Sequence, residues 1–179
     1  MSVRSSSAFQ TLVALDEYCR QGGARLPAQK EAIPTVSVIC FVLDNTRYAV
    51  PFADVVELLE PPPCTRLPRV QDWVRGVANV RGRLLPIIDL AAYCGSSLTS
   101  APKQQRVLVL DKHGIFVGLL VDEIVGMRHF PVDTFVEDAG TEKILSPYLE
   151  GGFRDGNRVW GLFRFAQLAG DMRFMNVTA

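Results

Sequence analysis

The side chains able to do chemistry are few and dispersed along the chain. Carboxylate pairs serve acid–base chemistry only where both groups converge on one point. Asp122 and Glu123, adjacent in sequence, point to opposite faces of a strand or diverge on a helix, so a solvated edge is expected. Asp89 closes the run "LLPIID" and is placed to cap the turn into "LAAYCG". His113 and His129 fall in loop-like text, neither at a ligand spacing from another His, Cys or carboxylate. Cys19, Cys40, Cys64 and Cys94 are irregularly spaced with no CxxC pair, and read as small hydrophobes or idle thiols of a reducing compartment. No metal and no cofactor is expected.

The chain contains no GxSxG, HExxH, GxxxxGK[ST] or GxGxxG. "GGFRDGN", residues 151 to 157, is glycine-rich but flanked by strand-like text, which makes it a β-turn rather than a phosphate cradle. The distinctive stretch is "GVANVRGRLLPIIDL", residues 76 to 90. Gly76 and Gly82 permit unusual backbone geometry, Asn79 can hold a turn through its side chain, and Arg81 projects between them. Arg81 either tethers a carboxylate of its own fold or offers a fork of donors to a partner's helix.

The elements that must position this segment read as mainly β. Residues 7 to 20, "SAFQTLVALDEYCR", have helix-like apolar spacing and are followed by a Gly/Pro linker. "VSVICFVLDNTRYAVPF" sets two strands about Asp44-Asn45-Thr46. "ADVVELLEPPP" predicts a brief helix with Val55, Leu58 and Leu59 on one side, ended by prolines. "GRLLPIIDL" carries Pro86 in strand-like text, which implies an edge, a bulge or a bend. From Arg106 the grammar repeats as strand, polar turn, strand and a short Asp-Glu segment that makes a second helical corner, with Ile124 and Val125 placed as Val55 and Val56 are. An offset of 69 lays Ala49 on Gly118 and Val50 on Leu119, and an offset of 75 lays "RLLPIIDLAAYCG" on "RVWGLFRFAQLAG" without a gap. A duplicated β module closing into two barrels with an apolar seam fits this pattern.

The bulk properties agree with a small soluble protein. Lys plus Arg balance Asp plus Glu at 19 each in 179 residues, so there is no electrostatic drive toward nucleic acid. No apolar run is long enough to span a bilayer and no secretory leader is evident, so a cytoplasmic location without direct membrane insertion is expected.

The 76 to 90 segment closely resembles the G-x-x-N-x-R-G-x-x-x-P-x-x-D-L signature of CheW-like domains, adaptors of bacterial chemosensory arrays. "FVLDNTRYAVPFADVVELLE", "TRLPRVQDWVRG", "VGLLVDEIVGM" and "YLEGGFRDGNRVWGLFRFAQLAG" are similar to the family's remaining elements. The resemblance implies two five-stranded β-barrel subdomains with short helices over residues 36 to 170, preceded by an N-terminal helical arm (1 to 35) and followed by a tail (171 to 179). It implies no catalysis, but attachment to the cytoplasmic tip of a chemoreceptor and to the regulatory domain of a CheA-type histidine kinase, at receptor arrays of the inner membrane. The positions it assigns to partner binding are Val55, Glu57, Gly76, Asn79, Arg81 and Gly82, without dividing them between the two partners. A receptor groove between the barrels near Val55 and Arg81, and a kinase face of apolar strand edges, are the expectation.

The family commonly has an acidic or amide residue followed by an aliphatic one where this chain has Arg164-Phe165, so docking of the terminal helix is expected to differ. The arm "FQTLVALDEYCRQGGARLP" resembles those of the pilus-associated, PilI-like branch of twitching-motility systems. A flagellar adaptor, or a small-ligand-binding or enzymatic barrel, are the competing readings.

Overall fold

The computed structural model describes residues 33–112, 114–139 and 144–178. The chain divides into two compact units, Met1–Ile33 and Pro34–Ala179. The helix expected over residues 7 to 20 lies outside the described residues, as does His113.

The second unit is a run of strands: β1 (Thr35–Leu43), β2 (Thr46–Pro51), β3 (Val55–Leu59), β4 (Val74–Val80), β5 (Arg83–Asp89), β6 (Arg106–Lys112), β7 (Ile115–Val121), β8 (Glu123–Pro131), β9 (Phe135–Val136), β10 (Leu149–Asp155) and β11 (Arg158–Phe163). Three short helices interrupt it: α1 (Leu90–Tyr93), α2 (Phe165–Ala169) and α3 (Met172–Met175). The β1–β2 turn is built as the sequence predicts, with Asp44 and Asn45 at φ 49° and 57°, the left-handed pair that a two-residue hairpin turn demands. Asp89 caps α1 by accepting from Ala92 N at 3.0 Å.

The strands form a six-stranded sheet, β8-β1-β2-β11-β10-β9, and a five-stranded sheet, β3-β6-β7-β5-β4. The duplication is visible in these orders. The offset of 69 carries β1, β2 and β3 onto β6, β7 and β8, and the offset of 75 carries β4 and β5 onto β10 and β11, so that β8-β1-β2-β11-β10 becomes β3-β6-β7-β5-β4. The halves are intertwined, because each sheet's central parallel pair joins strands of both repeats: Leu162↔Ala49 in one and Ile87↔Gly118 in the other. Irregularities repeat as well. Val56 is left out of register between β3 and β6, and Val125 between β8 and β1.

Alternation along these strands separates three cores. Ile39, Phe41, Tyr48, Val50 and Phe163 of the six-stranded sheet meet Leu108, Leu110, Val117 and Leu119 of the five-stranded one in a shared seam. On its other face the six-stranded sheet curls over Val38, Cys40, Ala49, Phe130, Phe153, Trp160 and Leu162. The five-stranded sheet curls likewise over Ala78, Leu85, Ile87, Val107, Val109 and Leu120.

Four expectations are corrected. The two barrels are sheets of six and five strands, and no backbone ladder closes either one among the described residues. One outer edge, that of β4, is instead taken by Thr65, which pairs with Val77; the prolines at 61 to 63 that precede it cannot donate to a ladder. The predicted helices in "ADVVELLEPPP" and after Asp122 are the strands β3 and β8, with only a 3-10 turn at Phe52–Asp54. Their β-branched pairs Val55-Val56 and Ile124-Val125 gain more from pairing with β6 and β1 than helix spacing offers. Of the edge, bulge or bend expected at Pro86, the edge is excluded: the residue lies in an interior strand opposite Val77, next to the register shift between Val74 and Gly76 and one residue before the β5–β7 ladder begins. Finally, Asp122 is 2 % exposed rather than solvated.

Residues 171–178 are mostly exposed and are anchored through Phe174. Phe174 on α3 is buried against Trp73, Tyr93 and Phe165, contributing about 2 kcal/mol by removal from water. Asp171 accepts from the hydroxyls of Tyr93 (2.7 Å) and Tyr148 (2.6 Å). Those two donors, Tyr148 foremost, hold its carboxyl at about 2. Phe165, at the departure from the family pattern, is fully buried beneath this segment, and Arg164 pairs with Glu150.

Candidate functional site

β4 and β5 are joined by the two residues Arg81 and Gly82, flanked by the pair Val80↔Arg83. Both take positive φ, 51° and 81°, as a tight I′ hairpin requires. For glycine this is free, whereas for arginine it costs about 1 kcal/mol. Asn79 Oδ1 accepts from Gly82 N at 2.9 Å and fixes the turn. Arg81 Nη2 then donates to Glu57 Oε1 at 2.6 Å, with the guanidinium side chain 81 % exposed and the glutamate 22 % exposed. Arg81 is thus tethered to a carboxylate of its own fold while its side chain stands largely in solvent.

Four of the expected residues, Glu57, Asn79, Arg81 and Gly82, form one cluster. Gly76 serves the same hairpin from its far end. Its φ is 134°, and a Cβ there would lie 2.3 Å from Thr65 O, because Thr65 and Val77 exchange two backbone hydrogen bonds of 2.9 Å beside it. Val55 is not part of the cluster: it is half-buried against the shared seam, and the bulge at Val56 turns the strand between Val55 and Glu57. Exposed apolar side chains lie along both outer strands, Val56 and Leu58 on β3 and, at the equivalent positions, Val125 and Met127 on β8.

Sequence reasoning missed Asp122. Its Oδ2 accepts from Asp44 N (2.8 Å) and its Oδ1 from Thr99 N (2.6 Å) and Ser100 N (2.7 Å). Burial pushes its pKa up, but the N–H donors of Ser100, Asp44 and Thr99 outweigh it and leave the carboxyl below its ordinary value. No local pattern announces this node, since its partners come from two remote loops.

Among the described residues no set of reactive groups converges. Burial pushes the Cys40 thiol up to about 12 and that of Cys94 to about 11, far from a thiolate at neutral pH. Ser37 Oγ and His129 Nδ1 are 2.9 Å apart as exposed cross-strand neighbours; among the described residues no carboxylate bonds His129 to orient it as a base. Also among the described residues, no three His, Cys, Asp or Glu side chains gather as a metal site, and no helix is long and apolar enough to cross a membrane.

A mainly β fold of two intertwined, curled sheets carrying an exposed arginine turn defines the class as a duplicated β scaffold. The CheW-like domain family matches residues 37–172, and the chain belongs to that family. It is 45% identical over 170 residues to Protein PilI of Pseudomonas aeruginosa, covering 94% of this chain and 95% of that one. It is 26% identical over 144 residues to Protein FrzA of Myxococcus xanthus, covering 78% and 90%. Its fold is similar to that of the scaffolding protein TtCheW from Thermoanaerobacter tengcongensis, with a TM-score of 0.66 at 21% identity, covering 73% of this chain and 90% of that chain.

Proposed function

We propose that this chain is a non-catalytic cytoplasmic adaptor that couples a chemoreceptor's cytoplasmic tip to a CheA-type histidine kinase at inner-membrane arrays, in the system that controls type IV pilus twitching motility. One observation carries the reading: the exposed Arg81–Glu57 pair stands on one half of a duplicated scaffold, and the equivalent positions of the other half are Gly156 and Gly126. Two similar halves with unlike surfaces suit the joining of two unlike partners. An adaptor needs no reaction of its own. It holds receptor and kinase in a fixed relation, so that rearrangement of one shifts the population of the other.

In this reading Glu57, Asn79, Arg81 and Gly82 present the coupling surface, and Gly76 and the half-buried Val55 support it from within the fold. Arg81 exchanges its internal carboxylate for one on the receptor helix, while Asn79, Gly76 and Gly82 keep the turn in shape. The exposed edges of β3 and β8 supply apolar area for the kinase's regulatory domain. The likeness to PilI over nearly the whole of both chains supports the pilus branch.

The test is a pull-down with the full chain against receptor-tip fragments and kinase. Stoichiometric capture of both, with a pilus-system receptor preferred over a flagellar one, is expected. Preference for the flagellar receptor overturns the branch. Failure to capture either partner, with tight binding or turnover of a metabolite, overturns the adaptor reading in favour of a ligand-binding barrel.

A further inference from the structure

The two small cores end differently, and the difference lies in four equivalent positions. In the five-stranded sheet, Leu59, Val80 and Phe116 pack as a cap on the small core. Arg83 stacks over Phe116 at 3.8 Å and pairs with Asp111 at 3.2 Å. That end is apolar and its one guanidinium is neutralised. Under the offsets of 69 and 75, the same positions in the six-stranded sheet are Arg128, Asp155, Arg47 and Arg158. Each lies two residues from a side chain of the other small core, namely Phe130, Phe153, Ala49 and Trp160. Alternation therefore directs all four to that core's rim.

The guanidiniums of Arg47 and Arg128 lie 5.7 Å and 5.3 Å from the Trp160 ring centroid, which orders them at little entropic cost. Arg128 also pairs with Asp155. Arg158 lies across the β10–β11 ladder from the same Asp155, and it gains no second carboxylate, because the position equivalent to Asp111 is Val42. Three guanidiniums thus face one carboxylate on a chain of zero formal net charge. Arg47 and Arg158 line a depression of about 230 Å³ with Asn45, Thr46 and Val159. All the polar side chains around it can donate.

We infer that this rim is a second binding site, distinct from the Arg81 turn, and that it takes the carboxylates of an acidic segment on a protein partner. Arginine forks match carboxylates in pairs. The rim's excess of two positive charges is too local to hold a nucleic acid or an anionic bilayer, which need an extended positive field. Where the five-stranded sheet closes its core with an apolar cap, the six-stranded sheet keeps a charged opening.

The experiment is a ¹⁵N NMR titration of the full chain with hexaglutamate, inorganic phosphate and a short single-stranded DNA in parallel. The Trp160 indole resonance is assigned by its loss in Trp160→Phe. Hexaglutamate is expected to shift that resonance and the amides of Arg47 and Arg158 saturably. Arg47→Gln and Arg158→Gln should each weaken it about three- to tenfold, while Arg83→Gln leaves it unchanged. Absence of a saturable shift at Trp160, tighter binding of phosphate or DNA than of the peptide, or equal weakening by Arg83→Gln would each overturn the inference. Glu57 and Arg81 are untouched by these variants, so the outcome is independent of receptor capture.

Discussion

Arg81 and Glu57 join the two outermost strands of the five-stranded sheet. Glu57 lies on β3 and Arg81 directly follows β4, at opposite ends of the order β3-β6-β7-β5-β4, yet their side chains meet at 2.6 Å. In the other sheet a comparable bridge runs from Arg128 on the outer strand β8 to Asp155 on β10, the strand beside the short edge strand β9. Each sheet is thus rolled until its edges face one another, and a side-chain ion pair spans the gap that a barrel would close with backbone ladders. So exposed a pair contributes only about 0–1 kcal/mol. The roll of the five-stranded sheet is held mainly by Leu59 and Val80 on the small core, which leaves Arg81 able to change partners at little cost to the fold.

Replacing Arg81 with Ala should therefore separate binding from folding. The loss of stability is expected to be at most about 1 kcal/mol, a fall in Tm of no more than about 4 °C. Receptor-fragment affinity should drop at least about tenfold, because the variant removes a charge-assisted contact. Arg81→Gly removes the same contact but suits φ 51°, so it should be at least as stable as Arg81→Ala. Calorimetry alongside a binding titration reads both quantities. If either variant is largely unfolded at 25 °C, Arg81 is structural and the coupling role is lost.

The duplication predicts a matched pair of glycine effects. Gly76 and Gly151 are equivalent under the offset of 75, with φ of 134° and 88°, and an added Cβ would sit 2.3 Å from Thr65 O and 2.4 Å from Val136 O. Backbone cannot yield as a side chain does, so Gly76→Ala and Gly151→Ala should each cost about 3 kcal/mol or more. Gly126 has φ 130° with nothing within 4 Å of such a Cβ, and Gly126→Ala should cost about 1 kcal/mol from backbone strain alone. Urea midpoints measure the order. Equal effects at all three positions would mean that the close approach at Thr65 and Val136 is not tight in solution.

What the sequence made legible was local or periodic. Asp44-Asn45 announces a hairpin because few residues tolerate φ of 49° and 57° in succession. The offsets of 69 and 75 survive because paired strands must keep apolar side chains in register. Asn79 and Arg81-Gly82 could be read as a shaped turn, although the Glu57 partner, 24 residues upstream of Arg81, could not. β3 and β8 were misread for a physical reason. Each carries a bulge, at Val56 and Val125, that breaks the two-residue alternation and imitates helical spacing. The basic rim escaped notice because Arg47, Arg128, Asp155 and Arg158 become neighbours only after the sheet rolls.

Asp122 gives the fold an acid-sensitive point whose sign follows from its hydrogen bonds. Its folded pKa lies below the ordinary carboxylate value, since the ionised form accepts from three backbone N–H groups. Its contribution is therefore complete above about pH 4, where the carboxyl of the unfolded chain is ionised. It is lost as pH falls through the lower folded value. Asp122→Asn sets an amide NH₂ against at least one of these donors, and should cost about 2–3 kcal/mol at pH 7. Protonation removes the same advantage from the parent chain, so the gap between their urea midpoints should narrow between pH 5 and pH 3. Asp171, present in both proteins, cancels from the comparison. A gap that stays constant down to pH 3 would show that Asp122 acts through shape alone, and that its charge does not tie the Asp44 turn to the Thr99-Ser100 loop.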